Sequence, residues 1–200
     1  MMNKGGQKMN KMTQAIWIAQ SLFNRGKASG SRAHISFKDE NKIYINGNNT
    51  CFGILAKDDF SILDLNGTHI GGVKPPENAK LHIIFYNKSS EIDSIIHTNS
   101  FYSTLWSCRN HENKFDCVPE YTPYLKMKLG TIGVIPYAPP GSEELFKNFE
   151  KNIANSDGFL LSNNGPIVGG INLMDTFSKI EELEESCRLS YEITINSQKN

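Results

Sequence analysis

Five histidines supply the side chains best suited to bind a metal or to transfer a proton near pH 7. His97 follows a β-patterned run and begins the motif His97-Thr98-Asn99, in which no second histidine or carboxylate stands beside the single imidazole. A catalytic zinc needs three protein ligands, so this motif alone is short of donors. His97 is therefore either a residual ligand or acid/base, or a strand-end residue kept for hydrogen bonding. We expect His34 and His82 to pack or hydrogen-bond rather than to bind a metal.

The four cysteines, Cys51, Cys108, Cys117 and Cys187, show no C-x-x-C spacing. We interpret them as reduced, buried small hydrophobes. The 21 basic and 21 acidic residues balance, which predicts no affinity for nucleic acid or a membrane surface. The apolar runs are shorter than the roughly 20 residues of a membrane span. These observations predict a cytoplasmic protein.

The length of 200 residues predicts one domain. Residues 1–12 are polar and lack an apolar core, so we expect a disordered N-terminal extension there. The predicted domain covers residues 13–192, and residues 193–200 are predicted to be a tail.

Helices and strands alternate along this domain. Helical spacing of apolar residues predicts helices at 13–24, after Pro75-Pro76 as far as about residue 90, after Ser142, and from Asn172 to about Tyr191. β patterns predict strands at 34–37, 43–45, 60–65, 94–97, 130–135, 158–161 and 167–168. The polar segment 108–121 has no periodicity and is predicted to be a surface loop. The alternation predicts an α/β fold in which helices cover one sheet.

The segment Ile135–Leu145, between a predicted strand and a predicted helix, carries the sequence Ile-Pro-Tyr-Ala-Pro-Pro-Gly-Ser-Glu-Glu-Leu. It resembles the same-position segment of the class II aldolase/adducin family, which includes fuculose phosphate aldolase and ribulose phosphate 4-epimerase. Segments 80–82, 95–99 and 160–165 extend the resemblance over nearly the whole chain. It implies a three-layer αβα fold with a mainly antiparallel central sheet flanked by helices. It also implies a homo-oligomer, commonly a tetramer with the site at a subunit boundary.

The resemblance also implies a metal centre. In this family three imidazoles bind a divalent metal, usually zinc, which stabilises an enediolate while a nearby glutamate moves a proton. Their positions fall on His97, Asn99 and Asn164, and the glutamate falls on Asn78 or, with a one-residue shift, on Glu77. Amide oxygens bind zinc poorly. We therefore expect no cofactor at full occupancy and at most weak binding of a divalent metal.

The phosphate-binding positions of the family differ here as well. Ala33-His34 precedes Ile35-Ser36 where the family has Gly-Asn before Val-Ser, and Asn46-Gly47-Asn48-Asn49 replaces a turn like Thr-Pro-Thr-Gly. Glu77 places an acid where a phosphate dianion would approach, which disfavours binding. The residues expected to line what remains of the substrate site are His34, Ser36, Asn46, Gly47 and Asn48.

Two functions stay open. The chain is either an adducin-like relative that kept the scaffold and lost the aldolase chemistry, or a divergent lyase or epimerase that acts on a small carbonyl or polyol compound. The first is favoured because the metal, glutamate and phosphate positions all changed. The second is favoured by clustered polar replacements and by Tyr124, which keeps a position where the family places a general acid. Either way, a small polar ligand is expected.

Overall fold

The computed structural model describes residues 9–153 and 156–197. Within them lie six α-helices: α1 (Lys11–Asn24), α2 (Ala79–Lys88), α3 (Phe101–Ser107), α4 (Tyr124–Leu129), α5 (Glu143–Asn152) and α6 (Leu173–Ser197). The strands are β1 (His34–Asp39), β2 (Lys42–Asn46), β3 (Phe60–Asp64), β4 (His69–Gly72), β5 (Ser94–His97), β6 (Gly133–Ile135), β7 (Gly158–Leu161) and β8 (Gly165–Gly170). No helix in this part of the chain combines the length and the apolar character needed to cross a membrane.

The eight strands form one sheet in the order β4-β3-β2-β1-β5-β8-β7-β6. Every neighbouring pair is antiparallel except β6 and β7, which are parallel. Alternating residues of a strand point to opposite faces, so adjacent residues of β5 join different cores. Ile96 belongs to the apolar cluster under α1, α3, α4 and α6, whereas Ile95 belongs to the cluster under α2 and α5. The predicted αβα fold with a mainly antiparallel sheet is confirmed.

The hairpin of β1 and β2 brings the predicted site residues to the end of the central strands. Glu40 and Asn41 form its two-residue turn with φ angles of 46° and 60°, the left-handed conformation that suits the twist of a tight hairpin. On its other side, β1 pairs with β5 in a register that sets His34 opposite His97. Two histidines far apart in sequence therefore become direct neighbours on one face.

Both ends of the domain carry more helix than the sequence predicts. Asn10 caps α1 by accepting a hydrogen bond from the Thr13 amide at 2.8 Å, so the helix begins inside the predicted 1–12 extension, of which residues 1–8 lie outside the described residues. At the other end α6 continues to Ser197. The predicted tail at 193–200 thus begins as helix, and residues 198–200 lie outside the described part.

Three short elements were missed by the sequence prediction: β4, α3 and α4. They contain four, seven and six residues, too few for a helical or alternating pattern to stand out. The loop predicted at 108–121 is confirmed, because none of its residues joins a helix or strand. Its Cys117 and Val118 are nevertheless buried in the core.

Candidate functional site

A polar pocket of about 270 Å³ opens where the segment before β1, the segment after β2, the start of α2 and the β7–β8 turn meet. Five residues singled out from the sequence line it: His34, Asn48, Glu77, Asn78 and Asn164. Asn49, the last residue of the turn compared with the family's phosphate-binding turn, also lines it, and sequence reasoning missed Ser31 and Arg32. The sequence did offer one signal for Arg32, which is its position next but one to the predicted site residue His34. The turn before β1 carries both into the pocket.

Arg32 and Glu77 give the pocket one charge of each sign. Neither side chain forms an ion pair with another described residue. Both are exposed, so their charges can meet a ligand without first breaking a protein contact. A guanidinium binds a carboxylate or phosphate with two parallel hydrogen bonds. The pocket therefore contains one group that can bind an anion, Arg32, and one carboxylate, Glu77.

The three positions predicted as metal ligands do not share one environment. His97 is buried, with 1% of its surface exposed, and Asn164 lines the pocket. The side-chain amide of Asn99 instead holds the loop before β1: its oxygen accepts from the Ser29 amide at 3.0 Å, and its nitrogen donates to the Ser29 hydroxyl at 2.8 Å. The structure thus gives Asn99 a loop-holding contact in place of an open donor.

Asn78 begins α2 without capping it, since its side chain accepts no helix N–H. Its Oδ1 is buried and has no hydrogen-bond partner in the described structure. An amide oxygen at this position cannot abstract a proton, unlike a carboxylate. It can accept a hydrogen bond or coordinate a cation, and either would satisfy the unpaired atom.

Asn46 and Gly47 lie beneath the pocket and support its wall. Asn46 is fully buried, and its amide links two chain segments by accepting from the Ile35 N–H at 2.7 Å and donating to the Ala33 carbonyl at 3.0 Å. A Cβ at Gly47 would lie 2.4 Å from a methyl group of Val73. Neither residue is among those that line the pocket.

Replacing Asn46 is expected to destabilise the fold. Asn46→Ala leaves a buried N–H and a buried carbonyl unpaired, and should lower the free energy of unfolding by roughly 2–4 kcal/mol. Urea denaturation followed by circular dichroism measures this loss. The exposed Asn48 is the control, because Asn48→Ala should change stability by less than about 0.5 kcal/mol. Equal effects of the two variants would show that the Asn46 bonds carry no stability.

Three buried imidazoles lie beside the pocket. His34 on β1 and His97 on β5 have ring centroids 6.3 Å apart, and His34 is 6.5 Å from His82 on α2. The Nδ1 atom of His82 hydrogen-bonds Ser36 Oγ at 2.7 Å, and that oxygen contacts the Tyr86 hydroxyl at 2.8 Å. Ser36 is thus buried below the pocket and binds His82. The hydrogen bond expected for His82 is present, but the clustering was not foreseen.

These histidines are neutral at pH 7. Burial lowers the pKa of His34 to about 4. Burial, and then the charge of His34, lower the pKa of His97 to about 3, and burial with repulsion from both neighbours lowers the pKa of His82 well below its usual value. A neutral imidazole offers one lone pair to a proton or a metal. Proton uptake by this cluster is therefore unfavourable in the folded chain.

Tyr124 lies at the first position of α4 and is 58% exposed. It is not among the residues that line the pocket within one chain. Met127 on the same helix and Phe115 in the preceding loop are also exposed. A second chain could cover exposed apolar side chains of this kind.

The model of the family described as Class II Aldolase and Adducin N-terminal domain matches residues 13–191. The chain belongs to this family. It is 32% identical to the 3-oxo-tetronate 4-phosphate decarboxylase of Haemophilus influenzae over 92% of this chain and 87% of that protein. It is 35% identical to the L-fuculose phosphate aldolase of Methanocaldococcus jannaschii over 88% of this chain and 93% of the relative.

Solved structures agree with the membership in the class II aldolase family. The crystal structure of YgbL from Escherichia coli matches with a TM-score of 0.88 and 28% identity, over 91% of this chain and 88% of that one. A structure of an L-fuculose 1-phosphate aldolase matches with a TM-score of 0.82 and 25% identity, over 95% and 88% of the two chains. The resemblance found in the sequence is confirmed.

Family members are typically zinc-dependent, but the three residues that the sequence predicts at the metal position do not fit zinc. The set His97, Asn99 and Asn164 offers one imidazole and two neutral amides, and Asn99 is already hydrogen-bonded to Ser29. Zinc prefers imidazole, thiolate and carboxylate ligands. Within residues 9–153 and 156–197, no three His, Cys, Asp or Glu side chains are placed so that they could hold a metal ion as they stand.

Proposed function

We propose that this protein binds a small polyhydroxylated or carbonyl compound in the polar pocket and does not perform zinc-dependent carbon–carbon cleavage at the family's metal position. The contact between Asn99 and Ser29 carries the proposal, because it uses a ligand position of the family to hold a loop. The amide at Asn78 supports it, since the proton-transfer position has no acid. The protein is then a pseudoenzyme, related to adducin in having kept the fold for binding.

The pocket chemistry suggests which compound would fit. The amides of Asn48, Asn49 and Asn164 can each donate to and accept from hydroxyl groups. Arg32 would bind a carboxylate or phosphate at one end of the ligand. Glu77 opposes a second negative charge and would accept from hydroxyls. A short sugar acid or sugar phosphate with a single acidic group satisfies all of these groups.

Assembly and location form part of the same proposal. The exposed group Tyr124, Met127 and Phe115 would be covered in a symmetric homo-oligomer, a tetramer by family resemblance. A second copy would also be needed to bring a tyrosine such as Tyr124 towards the pocket. All four cysteines are free, as is usual in a reducing compartment. We therefore propose a cytoplasmic location.

The second candidate function is catalysis on the same class of compound, as a lyase or decarboxylase that uses another cation or no metal. The names of the relatives, a decarboxylase and an aldolase, favour it. The carboxylate of Glu77 in the pocket also favours it, because a carboxylate can act as a general base.

Binding and turnover measured on one preparation separate the two candidates. Calorimetry with L-fuculose 1-phosphate, 3-oxo-tetronate 4-phosphate and a panel of sugar acids should find a ligand, while assays with and without added zinc should find no cleavage or decarboxylation. Arg32→Ala is expected to weaken binding on the order of tenfold or more, because it removes a charge-assisted pair. Arg188→Ala, an exposed change on α6, should leave the affinity unchanged.

Any other outcome of these measurements would contradict part of the proposal. Cleavage that depends on zinc would overturn the loss of aldolase chemistry, and turnover without a metal would establish the second candidate. If no compound binds, or if Arg32→Ala binds as tightly as the wild type, the pocket has another role. A monomer in light scattering would remove the homo-oligomer from the proposal.

A further inference from the structure

Two residues that line the polar pocket, His34 and Asn78, each keep a hydrogen-bonding atom without a partner. The ring of His34 is 5% exposed. Its Nδ1 and the Oδ1 of Asn78 are buried, and neither is hydrogen-bonded within the described part of the chain. Buried polar atoms in folded proteins are nearly always paired. Two unpaired atoms on side chains of one pocket indicate that a bound molecule supplies the partner. We call His34 and Asn78 the inner end of the pocket.

Arg32 differs from the inner end in both exposure and charge. Its side chain is exposed, and among the described residues that line the pocket it is the only one with a positive charge. His34 is neutral at pH 7 because burial lowers its pKa to about 4, and the amide of Asn78 carries no charge. An acidic group is therefore attracted to Arg32 and finds no opposite charge at the inner end.

We propose that His34 and Asn78 determine which ligand the pocket accepts by binding a terminal hydroxyl group, while the single acidic group of the same molecule binds Arg32. This inference rests on the proposed function, because it assumes that a sugar acid or sugar phosphate occupies the pocket. It adds the orientation of that ligand and the residues that select it. The ligand is a polyhydroxy acid with an acid at one end and a hydroxyl at the other.

A hydroxyl group matches the inner end because it both donates and accepts hydrogen bonds. A neutral imidazole has one donor and one acceptor nitrogen, and an amide has an acceptor oxygen and a donor nitrogen. A second carboxylate would lose its hydration at a place where no cation compensates it. A methyl group would leave the buried atoms of His34 and Asn78 unpaired.

Both side chains must turn slightly to reach the ligand, because neither unpaired atom is accessible to water. Rotation about the Cβ–Cγ bond breaks no hydrogen bond at these two atoms. The side chain of Asn78 also makes no capping bond to α2 that would hold it in place. His34 packs against the rings of His82 and His97 at centroid distances of 6.5 and 6.3 Å. The inner end can therefore adjust without loss of an existing hydrogen bond at either atom.

Calorimetry with one acid and two analogues tests the orientation. The acid is L-threonate or, if it binds more tightly, D-gluconate. One analogue has hydrogen in place of the terminal hydroxyl, and the other has a neutral amide in place of the carboxylate. The wild type should bind the acid on the order of tenfold more tightly than either analogue. Asn78→Leu should lose the preference for the hydroxyl and keep the preference for the carboxylate, whereas Arg32→Ala should do the reverse.

The two preferences make failure of this inference distinguishable from failure of the proposed function. Circular dichroism and a thermal melt establish that each variant is folded. His34→Phe, which keeps a planar ring without nitrogens, takes the place of Asn78→Leu if that variant does not fold.

The inference is overturned if the folded variant of the inner end keeps the preference for the hydroxyl, or if the wild type shows none. The proposed function stands in both cases as long as binding depends on Arg32. Absence of binding by both aldonic acids also overturns the inference. If the sugar phosphates and the other sugar acids fail to bind as well, the proposed function is overturned with it.

Discussion

Acidification of the metal-free protein from pH 6.5 to about pH 4 is expected to remove about 3 kcal/mol of stability through His34 alone. Burial holds the pKa of His34 in the folded chain at about 4, below the value of 6.5 in the unfolded chain. Between these values the unfolded chain binds the extra proton, so protons favour unfolding. The stability is fully present above pH 6.5 and declines as the pH falls. His82 and His97 add to the loss in the same direction.

Urea denaturation at a series of pH values in EDTA measures this effect. His34→Asn should flatten the profile by about 3 kcal/mol over the same range. Asn48→Ala serves as control, because it alters an exposed side chain that carries no titratable group and should leave the slope as in the wild type. If His34→Asn and the wild type lose stability in parallel, the buried state of His34 is not what sets the pH dependence.

Restoring the family's ligands is expected to create a tight zinc site. The triple variant Asn78→Glu, Asn99→His and Asn164→His supplies two further imidazoles and a carboxylate around His97, and should bind zinc on the order of a thousandfold more tightly than the wild type. It should do so without unfolding, since Asn99 is only partly buried and Asn164 lines the pocket. Competition with a chromophoric chelator measures the affinity.

The same triple variant with His97→Ala added is the matched control and should lose the gain. The release of the Ser29 loop by Asn99→His should cost little, because that contact is solvent-exposed. A folded triple variant that binds zinc no better than the wild type would show that these three positions do not surround one metal centre.

Much of the fold was predictable because hydrophobic periodicity and turn chemistry act locally. The β1–β2 hairpin followed from two β patterns around Glu40-Asn41, and α5 followed from the Ser142 cap and its apolar stripe. The short elements α3 and α4 were not predictable, since their helices depend on packing under α6 rather than on a long periodic pattern.

The site was predictable in part, for a different reason. The pocket-lining positions of His34, Glu77, Asn78 and Asn164 follow from where strands and helices end. The direction of the Asn99 side-chain amide could not be predicted in this way, because it depends on a contact with a loop seventy residues away in sequence. The cluster of three histidines depends on the register of β1 against β5 and on the angle of α2. No local pattern encodes those long-range relations.

The pairing of β1 with β5 determines whether the candidate site can be disrupted by local opening of the chain or only by unfolding of the whole domain. These two strands are the central pair of the eight-stranded sheet, covered by helices on both faces, and such strands usually open only when the whole domain unfolds. His34 and His97 lie on these central strands, whereas Arg32 and Asn48 lie in the loops beside them. The loops at the pocket rim can therefore open locally, while the backbone that carries His34 and His97 stays paired for as long as the protein is folded.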